Sequence, residues 1–162
     1  MLRTLPVLTL LVLSACASGP PSANAIDAIE IREGACYGTC PVYTIRVTPD
    51  DRYRLNGERF TRADGISQGQ LPPGHFDRLV DYIAAHDLMA FPADITPANP
   101  AACGEGRVSD LPDFQLTVVL VERTKVIHWY PGCFGSRYRD DMVAARAAFR
   151  DTIGYQTLIA RE

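Results

Sequence analysis

Apolar and polar residues alternate near the start of the chain, which is the pattern of β-strands that bury one face. Residues 25–33 alternate in this way, and beyond Pro41 the side chains of Tyr43, Ile45 and Val47 are expected on one side of a strand. The residues between these three are polar. The pattern therefore predicts two half-buried strands separated by a short turn.

A reversal of the chain is predicted after the second strand. Residues 52–55 return with Tyr53 and Leu55 on one face, and an Asn-Gly pair follows at 56–57. Because Asn and Gly both accept a positive φ, this pair predicts a type I′ hairpin turn. A third strand is then expected over residues 58–62, and residues 65–71 extend or bend the sheet.

Two stretches have the spacing of amphipathic helices. The first covers residues 72–88, and its apolar stripe consists of Phe76, Leu79, Val80, Ile83 and Leu88. The second begins around Ser136, a residue suited to an N-cap, and has two aspartates in its first turn. Its apolar stripe consists of Met142, Ala145, Phe149 and Ile153.

A second hairpin is predicted between the two helices. Residues 113–123 form the most apolar strand of the chain, and residues 125–130 return after a tight turn. Residues 92–112 have several prolines and little periodicity, which indicates a long irregular loop. Two hairpin groups, each followed by a helix, predict an α+β fold. Its mainly antiparallel sheet is built from hairpins, with two amphipathic helices packed on one face.

The first fifteen residues have the features of an export signal. Arg3 is followed by an apolar run that is too short to span a bilayer. The stretch ends in Leu-Ser-Ala-Cys at 13–16, which resembles the lipobox of bacterial lipoproteins. That resemblance implies cleavage before Cys16 and acylation of its sulfur and its new amino group. The alternative is an ordinary signal peptide cut after Ala17.

The predicted organisation is a signal peptide over 1–15, a lipidated tether over 16–25 and a single domain over 26–162. The tether is small, polar and proline-bearing, which is typical of a flexible linker. The domain is long enough for one hydrophobic core. Ala17 follows the acylated cysteine where a retention aspartate would favour the inner membrane. We therefore expect a cell-envelope protein, lipid-anchored in the outer membrane and facing the periplasm.

The charge of the chain argues against a nucleic-acid partner. Its formal net charge is −3, and removal of the signal with Arg3 leaves fifteen basic against nineteen acidic residues. The sequence shows neither a run of basic residues nor a basic aromatic stripe. The expected partners are membrane lipid, through acylated Cys16, and an unidentified envelope protein or ligand.

Four cysteines remain when Cys16 is acylated, and an even number in an exported protein predicts disulfides. Three pairings are possible, and local geometry favours Cys36–Cys40 with Cys103–Cys133. A thiol–disulfide oxidoreductase using Cys36 and Cys40 is the alternative, although a strand rather than a helix follows them. Neither the cysteines nor the histidines have the spacing of a metal site, and no cofactor is expected.

Several segments together resemble a known bacterial family. They are ACYGTCPVY at 35–43, the Asn-Gly pair, the helix ending in LMAF, and SDLPDFQLTVVLVERTKVIHWYPGC at 109–133. The family is domain of unknown function 6438, which occurs in secreted proteins and lipoproteins and has a C-[FY]-G-x-C-P-x-Y motif. The resemblance covers roughly residues 27 to 153 and implies no activity and no catalytic residue.

One motif fits a catalytic pattern. GISQG at 65–69 matches the G-x-S-x-G of a nucleophile elbow, and Asp110 and His128 follow in the order of a Ser-Asp-His triad. A serine esterase using Ser67 is therefore a further alternative. The elbow requires a strand-to-helix turn in a parallel sheet, whereas the neighbouring strands are expected to be antiparallel hairpins.

Four residues are candidates for binding. Asp110 precedes a Leu-Pro pair, where its carboxylate either caps backbone N–H groups of the loop or contacts a partner. Trp129 and Tyr130 end a strand, a position at which packing is their usual role. Arg137 lies beside Tyr138 in a polar–aromatic patch near the last cysteine. The expected function is a disulfide-braced, non-catalytic domain that presents a loop surface to a partner.

Overall fold

The computed structural model describes residues 25–161 of the chain. The predicted export signal, the acylation site Cys16 and the tether up to residue 24 lie outside the described residues. None of the helices in the described part of the chain is long and apolar enough to cross a membrane.

In the described part of the chain, seven strands form one sheet, and four α-helices and a short 3-10 helix at Leu88–Ala90 accompany it. The strands are β1 Ile26–Glu33, β2 Val42–Val47, β3 Arg52–Arg59, β4 Gly65–Gln70, β5 Asp94–Ile95, β6 Phe114–Leu120 and β7 Thr124–Trp129. The helices are α1 His75–Ala85, α2 Pro100–Cys103, α3 Arg139–Thr152 and α4 Tyr155–Leu158. The strand order is β4-β3-β2-β1-β6-β7-β5, and only the β5–β7 pair is parallel. The predicted α+β class with a mainly antiparallel sheet is confirmed.

Period-two alternation places the core on one face of the sheet. Ile31 of β1 lies opposite Ile45 of β2 on one side and Leu116 of β6 on the other, and all three are fully buried. The long helices cover this face. Their buried residues are Phe76, Leu79 and Ile83 of α1 and Met142, Ala145 and Phe149 of α3. Both predicted stripes therefore pack on the sheet as expected.

Helix α1 is capped by a residue from another element. The carboxylate of Asp51, in the β2–β3 turn, accepts hydrogen bonds from the backbone N–H groups of Gly74 and Phe76, both at 2.7 Å. The bond from Phe76 contributes most to lowering the pKa of this carboxyl below its ordinary 3.8. The exposed first N–H groups of a helix need such acceptors, and here the acceptor comes from 25 residues earlier in the chain.

Helix α3 begins at Arg139, three residues later than Ser136, the position predicted for its cap. The Ser136 hydroxyl accepts a hydrogen bond from the backbone N–H of Tyr138 at 3.3 Å. This contact braces the turn that leads into the helix, and the helix itself has no side-chain cap. The predicted helix is therefore present, but its N-cap position is Tyr138, two residues after the predicted Ser136.

The Asn-Gly pair does not form the predicted hairpin turn. Asn56 and Gly57 lie inside β3, which continues to Arg59. A Cβ on Gly57 would lie 2.2 Å from the carbonyl oxygen of Ala63, so glycine is required there by the close approach of the next turn. The chain reverses instead after Phe60, whose φ is 57°. The prediction was wrong because this packing constraint is not visible in the local sequence.

The predicted irregular loop over 92–112 contains two short elements. Strand β5 extends the sheet by pairing with β7, and α2 begins with Pro100 at its first turn. Beyond α4, Ala160 forms an isolated bridge with Thr61. The end of the described chain is thus tied to the turn between β3 and β4.

The second face of the sheet is polar and at least partly exposed. Its side chains alternate with those of the core; examples are Glu30, Arg32, Arg46, Arg54, Gln115 and His128. We call this the open face. Strand β1 runs along it from Ile26, the end that the predicted tether would precede, to Glu33 at the other end. These two ends, the tether end and the far end, carry different chemistry.

Candidate functional site

Both disulfides lie at the far end of the sheet. Cys36 and Cys40 are bonded in the turn after β1, with their Cα atoms 5.7 Å apart. Cys103 at the end of α2 is bonded to Cys133 after β7, with a Cα separation of 4.9 Å. The predicted pairing is confirmed. The register places Glu33, Phe114 and Trp129 side by side at the ends of their strands, so the loops beyond them meet.

The segment 106–113 connects the two disulfide loops. Its Gly106 carbonyl accepts a hydrogen bond from the N–H of Phe134 at 3.0 Å, next to Cys133 in the chain. Its Asp110 carbonyl accepts one from the N–H of Tyr37 at 3.1 Å, next to Cys36. The segment is therefore hydrogen-bonded to both loops that the disulfides close, which restricts its conformation.

A groove of about 500 Å³ opens between this segment and the open face. It is lined by Arg32, Thr96, Pro97, Leu111, Asp113, His128 and Tyr130. Arg32 on β1 and His128 on β7 share one cross-strand row, separated by Gln115 of β6. We call this the far groove. Its residues come from four separate stretches of the chain.

Asp113 is the centre of the far groove. Its Oδ2 atom accepts a hydrogen bond from Arg32 Nη1 at 3.1 Å and lies 3.2 Å from His128 Nε2. Side-chain exposures are 40% for Arg32, 42% for His128 and 27% for Asp113, so all three remain accessible to a ligand. The arrangement presents a carboxylate, a guanidinium and an imidazole to whatever enters.

Gly34 makes room for this carboxylate. A Cβ on Gly34 would lie only 1.7 Å from Asp113 Oδ1. The backbone N–H of Gly34 also donates to the Asp113 carbonyl at 3.0 Å. The residue that separates β1 from the first cysteine loop is thus glycine because the side chain of Asp113 occupies the space beside it.

Among the described residues, no nucleophile is hydrogen-bonded to His128. Thr96, a hydroxyl residue of the groove lining, accepts a hydrogen bond from the backbone N–H of Ala98 at 3.2 Å and so braces its own turn. A hydrolytic triad needs the nucleophile within hydrogen-bond reach of the histidine. The set Asp113, His128 and Arg32 therefore fits recognition of a polar group better than acyl transfer.

The structure gives the candidates Trp129 and Tyr130 different roles. Trp129 is 1% exposed and packs edge-on against Phe114, with ring centroids 6.3 Å apart. Its side chain serves the core. The Tyr130 hydroxyl accepts a hydrogen bond from the backbone N–H of Leu111 at 3.3 Å, and its ring lines the groove. Tyr130 is therefore the member of this pair that can meet a ligand.

Asp110 and Arg137 lie outside the far groove. The Asp110 carboxylate is exposed and accepts a hydrogen bond from the Ser109 hydroxyl at 2.8 Å. The atom that braces the loop is its backbone carbonyl rather than the carboxylate, so the expected side-chain cap is not observed. Arg137 lies over the ring of Tyr138, 4.7 Å from its centroid, on the connection between β7 and α3.

Exposed apolar side chains lie in the loops next to the far groove. Tyr37 in the first cysteine loop is 90% exposed, and Phe134 beside Cys133 is 48% exposed. Val108 and Leu111, from the connecting segment, are also among the exposed large hydrophobic residues. We call these four residues the apolar rim. A cluster of exposed large apolar side chains on one surface is typical of a contact site.

Ser67 cannot act with the residues proposed for an esterase. It lies on β4, five strand positions from β7 and hence roughly 24 Å from His128. Ser67 pairs with Leu55 on the core side, whereas His128 is on the open face. Residues 65–70 are strand throughout, without the strand-to-helix turn of a nucleophile elbow. The acidic neighbour of His128 is Asp113 rather than Asp110.

The surroundings of Cys36 and Cys40 lack the usual activating feature of a redox pair. The preceding element is β1 and the following one is β2, so the cysteines do not open a helix whose N-terminus would stabilise a thiolate. Within residues 25–161, no group of three or more His, Cys, Asp or Glu side chains is placed to hold a metal ion.

A second charged cluster lies behind the far groove, on the core face. The Glu33 carboxylate, 1% exposed, accepts hydrogen bonds from Arg146 and Arg150 of α3 and from the hydroxyl of Tyr43 at 3.0 Å. Burial alone raises the pKa of Glu33, but the bonds from Arg150 and Arg146 outweigh it and hold the pKa below its ordinary 4.5. Burial and the neighbouring Glu33 raise the pKa of Tyr43.

Sequence reasoning missed Arg32, Asp113 and Thr96 as groove residues. Arg32 occupies an ordinary polar position in the alternating pattern of its strand, and Asp113 is the first residue of the strand predicted over 113–123. Asp113 directly follows Pro112 at the start of a strand, but this local feature does not by itself identify a binding residue. Its two partners could not be identified, since they lie 81 and 15 residues away.

The comparisons place the chain in a family. A family model described as Domain of unknown function (DUF6438) matches residues 27–145. The chain belongs to this family. The match includes all four disulfide cysteines and every residue of the far groove, and it confirms the predicted resemblance. A comparison with curated proteins finds no match.

Proposed function

We propose that this DUF6438 protein is a lipid-anchored component of the bacterial cell envelope that binds another envelope protein at the far groove, without catalysis. The observation that supports this most is the apolar rim around the Asp113 cluster. Exposed aromatic and aliphatic side chains give a contact its buried area, and charged groups beside them give orientation and specificity.

The disulfides favour binding by fixing the surface in advance. Association costs free energy when loops must become ordered, and a rigid loop avoids that cost. Tyr37 and Phe134 each neighbour a disulfide cysteine, and the segment 106–113 is hydrogen-bonded at both ends. A partner would therefore meet a surface that is already in its bound shape.

The predicted anchor suits this location of the site. The described chain begins at Ala25, next to Ile26 at the tether end of β1, while the far groove lies beyond Glu33. Eight strand residues at about 3.3 Å each separate the two ends by roughly 25 Å. A protein held to the membrane through acylated Cys16 would direct the far groove toward the periplasm.

Site-specific photo-crosslinking in the native host tests the contact. A photoreactive amino acid at Leu111 or Phe134 should give a discrete adduct, because both side chains belong to the apolar rim. Ile66 and Val143 are matched controls, since they are 59% and 46% exposed but lie on β4 and α3. Adducts of equal yield at the control positions, or none at the rim, would contradict the proposal.

A second variant links the adduct to the charged centre. Gly34→Ala places a methyl group against Asp113 and should displace its carboxylate from Arg32 and His128. The yield of the Leu111 adduct should then fall several-fold while the circular dichroism spectrum stays unchanged. An undiminished adduct in a folded Gly34→Ala protein would show that the centre of the groove takes no part in binding.

The anchor is tested separately by mass spectrometry of the protein from its host. We expect a chain that begins at Cys16 and carries acyl groups on its sulfur and amino nitrogen. Cys16→Ser should release the protein from the membrane fraction. An unacylated N-terminus in the native material would remove the lipoprotein part of the proposal and leave the groove contact to be judged by crosslinking.

A further inference from the structure

A second polar groove lies on the open face at the tether end of the sheet. Arg46 of β2 and Arg54 of β3 are directly opposite each other in the antiparallel register. Arg52 is two residues from Arg54 and therefore points to the same face. These residues line a groove of about 770 Å³ together with Thr48, Gln68 and Gln70. We call it the arginine groove.

The two opposed arginines have no acidic partner. Within residues 25–161, neither Arg46 nor Arg54 makes an ion pair or a hydrogen bond through its guanidinium, and both are at least partly exposed. Glu30 is the neighbour of Arg46 in β1, at a separation too long for an ion pair. Like charges directly opposite on a sheet are destabilising. This pair therefore works against folding unless something else neutralises it.

The other residues of the groove leave it open to an anion. Arg52 lies 4.0 Å from Asp50, and both side chains are well exposed, so this pair is weak. The Thr48 hydroxyl donates to Asp50 Oδ1 and the Gln70 amide donates to the Asp50 carbonyl, each at 2.6 Å. Asp50 is thus held in the turn, away from the opposed arginines, while Gln68 across from Arg54 adds an amide donor.

We propose that the arginine groove binds the phosphate groups of anionic phospholipids in the membrane to which the chain is tethered. Guanidinium groups recognise phosphate with paired, directional hydrogen bonds. Anionic lipid surfaces attract such residues even on a protein whose net charge is negative, because the attraction is local and acts within about a Debye length.

The position of the groove selects the membrane as the source of phosphate. Val47, next to Arg46, pairs with Ile29, three residues from the point where the tether joins β1. The nine residues 17–25 reach at most about 32 Å when fully extended. An anchor at Cys16 therefore keeps the arginine groove within reach of the headgroups. This step rests on the proposed anchor, whereas the phosphate chemistry does not.

Vesicle co-sedimentation tests the inference independently of the anchor. The protein is residues 16–162 with Cys16→Ser, which retains every residue of the described sheet and helices. At low ionic strength it should sediment with vesicles of phosphatidylcholine containing phosphatidylglycerol and stay in solution with pure phosphatidylcholine. Arg46→Gln with Arg54→Gln should weaken binding roughly ten- to thirtyfold, the loss expected for two arginines near an anionic surface.

A charge-matched control distinguishes a site from net charge. Arg59→Gln with Arg107→Gln removes the same two charges from the other end of the domain, since Arg59 pairs with Val42 and Arg107 bridges Cys133. This variant should bind the vesicles as the parent does. Equal loss in both double variants, or no loss in the Arg46 and Arg54 variant, would overturn the inference.

Titration with inorganic phosphate separates the lipid from a free anion. Phosphate that binds with an affinity dependent on Arg46 and Arg54, in the absence of any vesicle binding, would assign the groove to a soluble anion and overturn the lipid inference. The Cys16→Ser protein could fail to bind vesicles while mass spectrometry finds Cys16 of the native protein acylated. That result would overturn the lipid inference alone, and the proposed anchor would stand.

Discussion

Two charged clusters are built on successive residues of β1 and face opposite sides of the sheet. Glu33 points into the core, where it is 1% exposed and receives Arg146, Arg150 and Tyr43. Arg32 points to the open face, where its partner Asp113 is 27% exposed. Both clusters join residues far apart in the chain, but only the first has a buried carboxylate; its partners Arg146 and Arg150 are 18% and 31% exposed.

The difference indicates different roles. A buried carboxylate must keep its partners, because an unpaired charge in the core costs several kcal/mol. A half-exposed carboxylate can exchange its partners for those of a ligand at little cost, since water already screens it. We therefore assign the Glu33 cluster to stability and the Asp113 cluster to recognition, and the following experiments test that division.

Glu33→Ala should have the largest effect. It leaves two arginines partly buried without their shared carboxylate, so the free energy of unfolding should fall by about 3–5 kcal/mol in urea denaturation. Glu30→Ala, on the open face of the same strand, is the control and should change it by no more than about 0.5 kcal/mol. Similar losses of stability in both variants would contradict the assignment of a stabilising role to the Glu33 cluster.

Removal of a disulfide should have the next largest effect on stability, and the loss should be greater for the disulfide that closes the longer loop. Cys103 and Cys133 are 30 residues apart, against 4 for Cys36 and Cys40. On the chain-entropy account, replacing the first pair by serine should lower stability by about 3.5 kcal/mol and the second by about 2 kcal/mol. Thermal and urea unfolding of the two double variants measure this. The reverse order would show that the Cys36–Cys40 disulfide contributes more than Cys103–Cys133 to the stability of the loops around the far groove.

Acid should remove the part of stability that depends on lowered carboxyl pKa values. The pKa of Glu33 is below its ordinary 4.5, and backbone hydrogen bonds lower that of Asp51 below 3.8. A lowered folded-state pKa stabilises above the unfolded value, so stability should be constant above about pH 5 and decline as the pH falls through the folded pKa values. Urea unfolding across this range should show a weaker decline in Glu33→Gln.

Asp113→Asn should have the smallest effect on stability. The pairs with Arg32 and His128 are half-exposed, so the free energy of unfolding should fall by less than about 1 kcal/mol. Crosslinking from Leu111 should nevertheless be lost, because the charged centre of the far groove is gone. A stability loss comparable to that of Glu33→Ala would instead make the Asp113 cluster structural and remove the basis for a binding site.

Local patterns in the sequence determined the elements. Alternation predicted β2 and the hairpin of β6 and β7, the helical stripes predicted which faces of α1 and α3 are buried, and an even cysteine count with local geometry predicted the disulfides. Except for the Cys103–Cys133 pair, whose members are 30 residues apart, each of these signals depends on residues close together in the chain. The apolar and polar pattern of a segment determines which of its faces can be buried, and this is a property of the segment itself.

Only the tertiary structure decided the rest. Asn56-Gly57 became part of a strand because another turn packs against Gly57, and α1 took its cap from Asp51. Neither groove has a sequence motif: Asp113 gathers partners from two other strands, and the arginine groove joins β2 to β3. Register and loop contacts bring these residues together, and they depend on packing between segments that no single stretch encodes.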